Sequence, residues 1–292
     1  MRWTPGGRSK NLDDLRGQTG GGRMIGGRGM GIGGALIALV LSLVFGVNIF
    51  DSGDGGGLPA PVPQQSPGNV DPSVSTSPAE EQRIQFVSFV LDDVQQTWAQ
   101  LLPKVGDQYQ DARLAVFRDG VSTGCGDAPA SVGPFYCPVD QKVYLDLSFF
   151  DELDQRFGAP GDFAQAYVIA HELGHHVQHL IGIEQRVRQM QESRPNAANQ
   201  LSVALELQAD CFAGVWGNST SQRKLLSDGD VEEGLGAASA VGDDRLQKQM
   251  TGMVRPDKFT HGTAAQRAQW FRRGFESGDP NSCDTFGSLG RG

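Results

Sequence analysis

The chain has 292 residues, with 34 Asp and Glu against 25 Lys and Arg and a net charge of −9. Removing the six basic and two acidic residues of the first 30 leaves −13 on the remainder, which disfavours nucleic acid or an anionic wall polymer as a general partner. No internal repeat is present, and the roughly 215 residues after a proline-rich stretch suit one sizeable domain with its own core.

Residues 1–30 form a basic, glycine-rich lead. Residues 31–50 carry no charge and are mostly Ile, Leu, Val, Ala, Gly and Phe. About 20 such residues suffice to span a bilayer core of about 30 Å. Positive charge before the run, and Asp51 and Asp54 after it, predict one transmembrane helix with a cytoplasmic N-terminus. The long basic lead, the length of the run and the lack of an A-x-A-like site at residues 47–50 favour an uncleaved anchor over a signal peptide. The expected location is therefore the cell membrane, single-pass, with the domain outside. Residues 51–77 collect Gly, then Pro59, Pro61, Pro63, Pro67 and Pro72, a composition that predicts a disordered linker.

The domain is expected over residues 78–292. Ser77-Pro78-Ala79-Glu80 reads as N-cap, N1 proline and capping glutamate. Phe86, Phe89, Val90, Val94, Trp98, Leu101 and Leu102 then mark the apolar side of a helix ending near Pro103. Residues 113–117 and 142–147 read as strands. One of them is expected to be an edge strand lining a cleft, where an extended peptide could pair. Tyr144 on the second strand is assigned to packing. Pro160-Gly161 breaks the chain, Asp162 is expected as an N-cap with Gln165 closing a capping box, and Phe163, Ala166, Tyr167, Ala170, Leu173, Val177 and Leu180 recur at helical spacing up to a stop at Gly182. The class is α+β, mainly helical with a small sheet.

Four of the five histidines lie within that helix, in His171-Glu172-Leu173-Gly174-His175-His176-Val177-Gln178-His179. His171 and His175 form H-E-x-x-H, which places two imidazoles on one helix face, about 6 Å apart. They can converge on one zinc ion. Glu172 lies about 100° round the helix, poorly placed as a ligand and well placed as a general base. His176 faces elsewhere, and His179 is too far along the axis to share an ion with His171. The extension H-x-x-G-x-x-H is absent, because Gln178 and Ile181 hold its glycine and histidine positions.

A third ligand must come from elsewhere. Residues 182–195 read as a loop, and Leu201, Ala204, Leu205, Gln208, Phe212 and Val215 mark a second helix. Glu206 and Asp210, four apart, share a face of it. Spacing allows Glu206 as the ligand, with Asp210 accepting a hydrogen bond from a ligating histidine, or the reverse. His261 precedes a helix begun by the capping box Thr263/Gln266, where it could stabilise an oxyanion. Asp243, Asp244 and Arg245 read as an ion-pair cluster without chemistry. Cys125, Cys137, Cys211 and Cys283 all follow the apolar run, and no C-x-x-C is present. Disulfides are favoured, with Cys125–Cys137 and Cys211–Cys283 the preferred pairing.

The motif His171 to His176, the run Glu206-Leu207-Gln208-Ala209-Asp210-Cys211-Phe212-Ala213-Gly214, Cys137-Pro138-Val139-Asp140, Gly242-Asp243-Asp244-Arg245-Leu246-Gln247, and His261-Gly262-Thr263 with Gln266-Arg267 resemble the bacterial neutral zinc metallopeptidases of the gluzincin type. So do the opening Met1-Arg2-Trp3 and Asn11-Leu12-Asp13-Asp14. The resemblance implies a zincin fold, Zn2+ held by His171, His175 and Glu206, and Glu172 as base. The expected function is hydrolysis of peptide or protein substrates by a membrane-anchored zinc peptidase. The alternative is a non-catalytic, metal-stabilised binding or scaffold module. Neither substrate nor oligomeric state is legible.

Overall fold

The Ser77 hydroxyl accepts the Glu80 N–H and Pro78 occupies the first turn, so helix α1 (Pro78–Leu101) starts where its capping residues predict. A 3-10 turn over Leu102–Val105 carries the chain past Pro103. The computed structural model describes residues 1–17 and 77–287. The apolar run 31–50 and nearly all of the expected linker lie outside the described residues. Among the described residues, no helix is long and apolar enough to cross a membrane.

The sheet has four strands in the order β1 (Leu12–Asp14), β2 (Arg113–Phe117), β6 (Lys142–Asp146) and β5 (Phe135–Cys137). β1, β2 and β6 run parallel, and β5 pairs antiparallel with β6. A separate hairpin joins β3 (Gly120–Thr123) to β4 (Gly126–Pro129). Two expectations change here. The strands at 113–117 and 142–146 are interior, buried on both faces as parallel strands tend to be, so neither is an edge. The edges are β5 and β1, and β1 comes from residues 1–17 of the basic lead, which therefore belong to the folded domain.

Helices cover the sheet and form the main core. In chain order they are α2 (Ser148–Gln155), α3 (Asp162–Leu180), α4 (Ile183–Ser193), α5 (Ala198–Gln222), α6 (Asp230–Ala240), α7 (Asp243–Thr251) and α8 (Ala264–Ser277). Helix α3 carries the histidine motif and is buried on most of its surface by α1, α5 and α6, as an apolar segment such as Ala164 to Ala170 requires. Phe163 stacks on Trp216 of α5 at 5.5 Å, and Tyr167 meets Phe271 of α8 edge-on at 5.4 Å. Gly161, not Asp162, is the N-cap of α3. The capping role passes to Glu233 of α6, whose carboxylate accepts the Phe163 N–H at 3.1 Å. Any β-carbon on Gly161 would fall 2.1 Å from that carboxylate. Residues 183–193 form α4 rather than loop. Only Val187 is buried there, so the helix lacks the apolar stripe that would have marked it.

Helices α5 and α8 touch backbone to backbone at two glycines. A β-carbon on Gly274 would lie 1.9 Å from the Cys211 carbonyl oxygen, and one on Gly214 would lie 2.0 Å from that of Phe271. Backbone cannot yield as a side chain does, so Gly274→Ala is expected to destabilise the domain by at least about 3 kcal/mol, the upper end for overpacking. Denaturant melts would read this as a lower midpoint at unchanged slope; an unchanged midpoint would refute the close approach. Both disulfides follow the expected pairing. Cys125–Cys137 pins the β3–β4 hairpin to β5, and Cys211–Cys283 ties a C-terminal turn (Pro280–Cys283) to α5.

Candidate metal centre

His171 and His175 lie one turn apart on α3, and Glu206 reaches them from α5. The nearest atoms are His171 Nε2 and Glu206 Oε2 at 3.2 Å, and His175 Nε2 and Glu206 Oε1 at 3.5 Å. One ligand atom from each of the three residues lies within 4.8 Å of the others. Gly174 permits the approach of α5: a β-carbon there would stand 3.1 Å from the Ala209 carbonyl oxygen.

Hydrogen bonding fixes which ring nitrogens are free. His171 Nδ1 meets Asp210 Oδ1 at 2.9 Å, and His175 Nδ1 meets Gln178 Oε1 at 2.9 Å. The Gln178 amide is oriented by its other end, since Nε2 donates to the Leu205 carbonyl and to Gln208 Oε1 at 2.7 and 3.1 Å. Both imidazoles therefore donate through Nδ1 and turn Nε2 toward Glu206, so that Nε2 is the atom each would offer a metal on giving up any proton it carries.

Asp210 is fully buried. It accepts from the Tyr167 hydroxyl, from His171, and from Arg267 Nε and Nη2 at 2.8 and 2.9 Å. Arg267 is itself buried, within 3.4 Å of the His171 ring and 4.0 Å of Glu206. Burial pushes the Asp210 carboxyl up, but Arg267 and His171 outweigh it and hold it below the usual range. Glu206 is likewise held well below that range, as His175, His261 and His171 overcome burial. Burial pulls His171 down while Asp210 and Glu206 lift it to about 9; for His175 burial prevails and lowers it.

Glu172 reaches β5 and still feels the charges of His171 and Glu206. The Tyr136 backbone N–H hydrogen-bonds its carboxylate, and burial, with Glu206, raises it to about 7. The Tyr136 hydroxyl meets His176 Nδ1 at 2.9 Å, and His176 Nε2 meets the Gln110 carbonyl at 2.7 Å. His176 therefore fastens β5 to α3, and His179 pairs with Glu184 at 3.0 Å. Neither joins the three-residue cluster. Tyr144 donates to Asp140 and stacks on Phe135, away from it.

His261 lies close enough to Glu206 for their charges to shift one another. Burial lowers it, but Glu206 and Asp243 raise it above the ordinary histidine value. Asp243 is not part of a surface ion-pair cluster. Its Oδ2 accepts the backbone N–H groups of Thr260, His261 and Gly262 at 2.7, 2.7 and 3.1 Å, and its Oδ1 meets His261 Nδ1 at 3.1 Å. The loop is thus wrapped round one carboxylate that also aims the ring.

Sequence reasoning assigned no part in the site to Gln178, Asp243 or Arg267. A signal for Arg267 existed: with Phe271 and Gly274 it forms the buried stripe of α8, and a charged residue on such a stripe has a buried partner. Gln178 and Asp243 carried no comparable mark.

Two imidazoles and a carboxylate thus converge from adjacent helices, with a buried acid beside them, in a group that could hold a metal ion. The chain belongs to the family described as "Putative neutral zinc metallopeptidase", whose model matches residues 1–286. It is 49% identical over 294 residues to the uncharacterized protein YpfJ of Escherichia coli K12, covering 98% of this chain and 99% of that one. It is 45% identical over 212 residues to the uncharacterized protein Rv2575 of Mycobacterium tuberculosis, covering 69% of this chain and 70% of that one. No solved structure matches the chain.

Proposed function

We propose that this chain is a zinc-dependent peptidase of zincin type in which His171, His175 and Glu206 hold the metal and Glu172 is the general base. The observation that carries the reading is the convergence of three ligand atoms within 4.8 Å, with tautomers set by Asp210 and Gln178. The donor set fits zinc, which takes two nitrogens and a carboxylate oxygen and keeps one position open. Zinc bound there would supply Lewis acidity, lowering the pKa of water and polarising a carbonyl.

The chain's own groups do the rest. Glu172, at about 7, is poised to take a proton from water at neutral pH and return it to the leaving amine. His261, aimed by Asp243 and biased toward its charged form, is suited to stabilise the developing oxyanion. β5 is the sheet edge beside Glu172, and it suits an extended peptide only in part. Tyr136 N–H is engaged by Glu172, and Pro134 and Pro138, two residues to either side, have no N–H. A peptide along this edge would donate its own N–H groups to the carbonyls of β5 rather than build a two-way ladder. The apolar run 31–50 is long enough to enter a bilayer, which would keep the peptidase at a membrane surface.

Glu206→Gln tests the ligand set. It preserves shape and removes the charge, so the zinc dissociation constant is expected to rise at least about 100-fold, the upper range for losing a supporting group alone. Competition with a chromophoric chelator would measure it, alongside hydrolysis of a mixed peptide pool with and without chelator. Unchanged zinc affinity would remove Glu206 from the site. Tight zinc without any chelator-sensitive cleavage would favour the scaffold reading.

A further inference from the structure

We infer that residues 1–17 and residues 77–287 lie on the same side of any membrane this chain meets, so that the chain between them makes no net crossing. The juxtaposition that carries this is strand β1 within the domain's own sheet. Leu12, Asp13 and Asp14 stand in parallel register with Leu114, Ala115 and Val116. The ladder continues at both ends, where Leu114 N–H donates to the Asn11 carbonyl at 2.9 Å and Leu15 N–H to that of Val116 at 2.7 Å.

Side chains secure the same docking. The Asp13 carboxylate accepts from Arg113 through both of its oxygens, and from Lys142 at 3.3 Å. The Arg16 side chain is 1% exposed, closed between Asp14 at 2.6 Å and Glu80 at 2.7 Å. Arg8 bridges Asp14 and Glu81 at 2.8 and 2.5 Å. Trp3 lies edge-on against Phe86 with ring centroids 5.3 Å apart. The family match likewise begins at residue 1 and runs through the domain. None of these contacts can form across an apolar layer about 30 Å thick.

A chain that leaves one side and returns to it crosses an even number of times. Residues 18–76 hold one uncharged apolar run, 31–50, and two crossings need about 20 apolar residues each. The charge bias that pointed to a single crossing treats Arg8 and Arg16 as solvated flanking charges. Both are instead neutralised by carboxylates of the fold. Membrane association by the apolar run would then be from one side only. This inference stands apart from the peptidase reading and uses none of the metal-centre residues.

The test uses the full-length chain in bacterial cells. Lys10→Cys, beside β1, and Gln189→Cys, on α4, both place a thiol at exposed positions. Each variant is treated with a membrane-impermeant maleimide in intact cells and again after permeabilisation. Labelling of the two sites is expected to agree within twofold, with both open in intact cells or both open only after permeabilisation. A tenfold split in intact cells, normalised to the detergent-solubilised chain, would overturn the inference. In unsubstituted chain, carbodiimide is expected to join Lys142 to Asp13, a link lost in Asp13→Asn. Recovery of other lysine–carboxylate links without that one would overturn it equally.

Discussion

Glu172→Gln is expected to keep zinc and to lose about 10³-fold or more in kcat, within the range assigned to a general base. Glutamine fills the same space and can still accept the Tyr136 N–H, so β5 keeps its seat on α3. What disappears is a group at about 7 that can hold a proton and release it. Metal content by chelator titration should match the parent chain, while cleavage of a peptide pool falls to near background. Retained turnover would take the base away from Glu172. Lost zinc would show that the carboxylate contributes to the metal's charge balance as well.

Arg267→Met is expected to be the most damaging change outside the ligands. Its guanidinium donates to both oxygens of Asp210, which is 0% exposed. Leaving a buried carboxylate unpaired costs about 3–5 kcal/mol, and the protein would show this as a lower denaturant midpoint. Asp210 also fixes the His171 ring, so zinc affinity should fall roughly 10- to 100-fold as for other supporting groups. The pair Asp210→Asn with Arg267→Met removes both charges together. It should regain part of the stability while zinc affinity stays low. If the double variant is no more stable than Arg267→Met alone, the two charges are not coupled as their geometry requires.

Much of this site was legible because it depends on short-range helical periodicity. His171, Glu172 and His175 are placed by one helix turn, and Glu206 and Asp210 by another, so their spacing alone predicted which side chains would share a face. The capping residues at Ser77, Thr263 and Gln266 were legible for the same reason. Contacts between distant segments were not. Glu233 displaced Asp162 from capping α3 because α6 packs there, which no local pattern records. Helix α4 hid because a helix with one buried residue has almost no periodic apolar signal. Asp243 looked like one of several surface charges because its partners are the backbone amides of a loop 17 to 19 residues away. β1 was misplaced for a different reason: three residues are too few to show alternation, and their basic neighbours matched the flank of a membrane span.

The C-terminal turn has a practical bearing on the metal. Cys283 is bonded to Cys211, and its carbonyl accepts the Gln208 amide at 3.0 Å. Gln208 in turn holds Gln178, and Gln178 holds His175. Purification in a strong thiol reductant, or trimming of the chain before this turn, would therefore slacken His175, a proposed zinc ligand that no cysteine touches. Preparations made that way would come out metal-poor for reasons unrelated to their affinity in the oxidised protein.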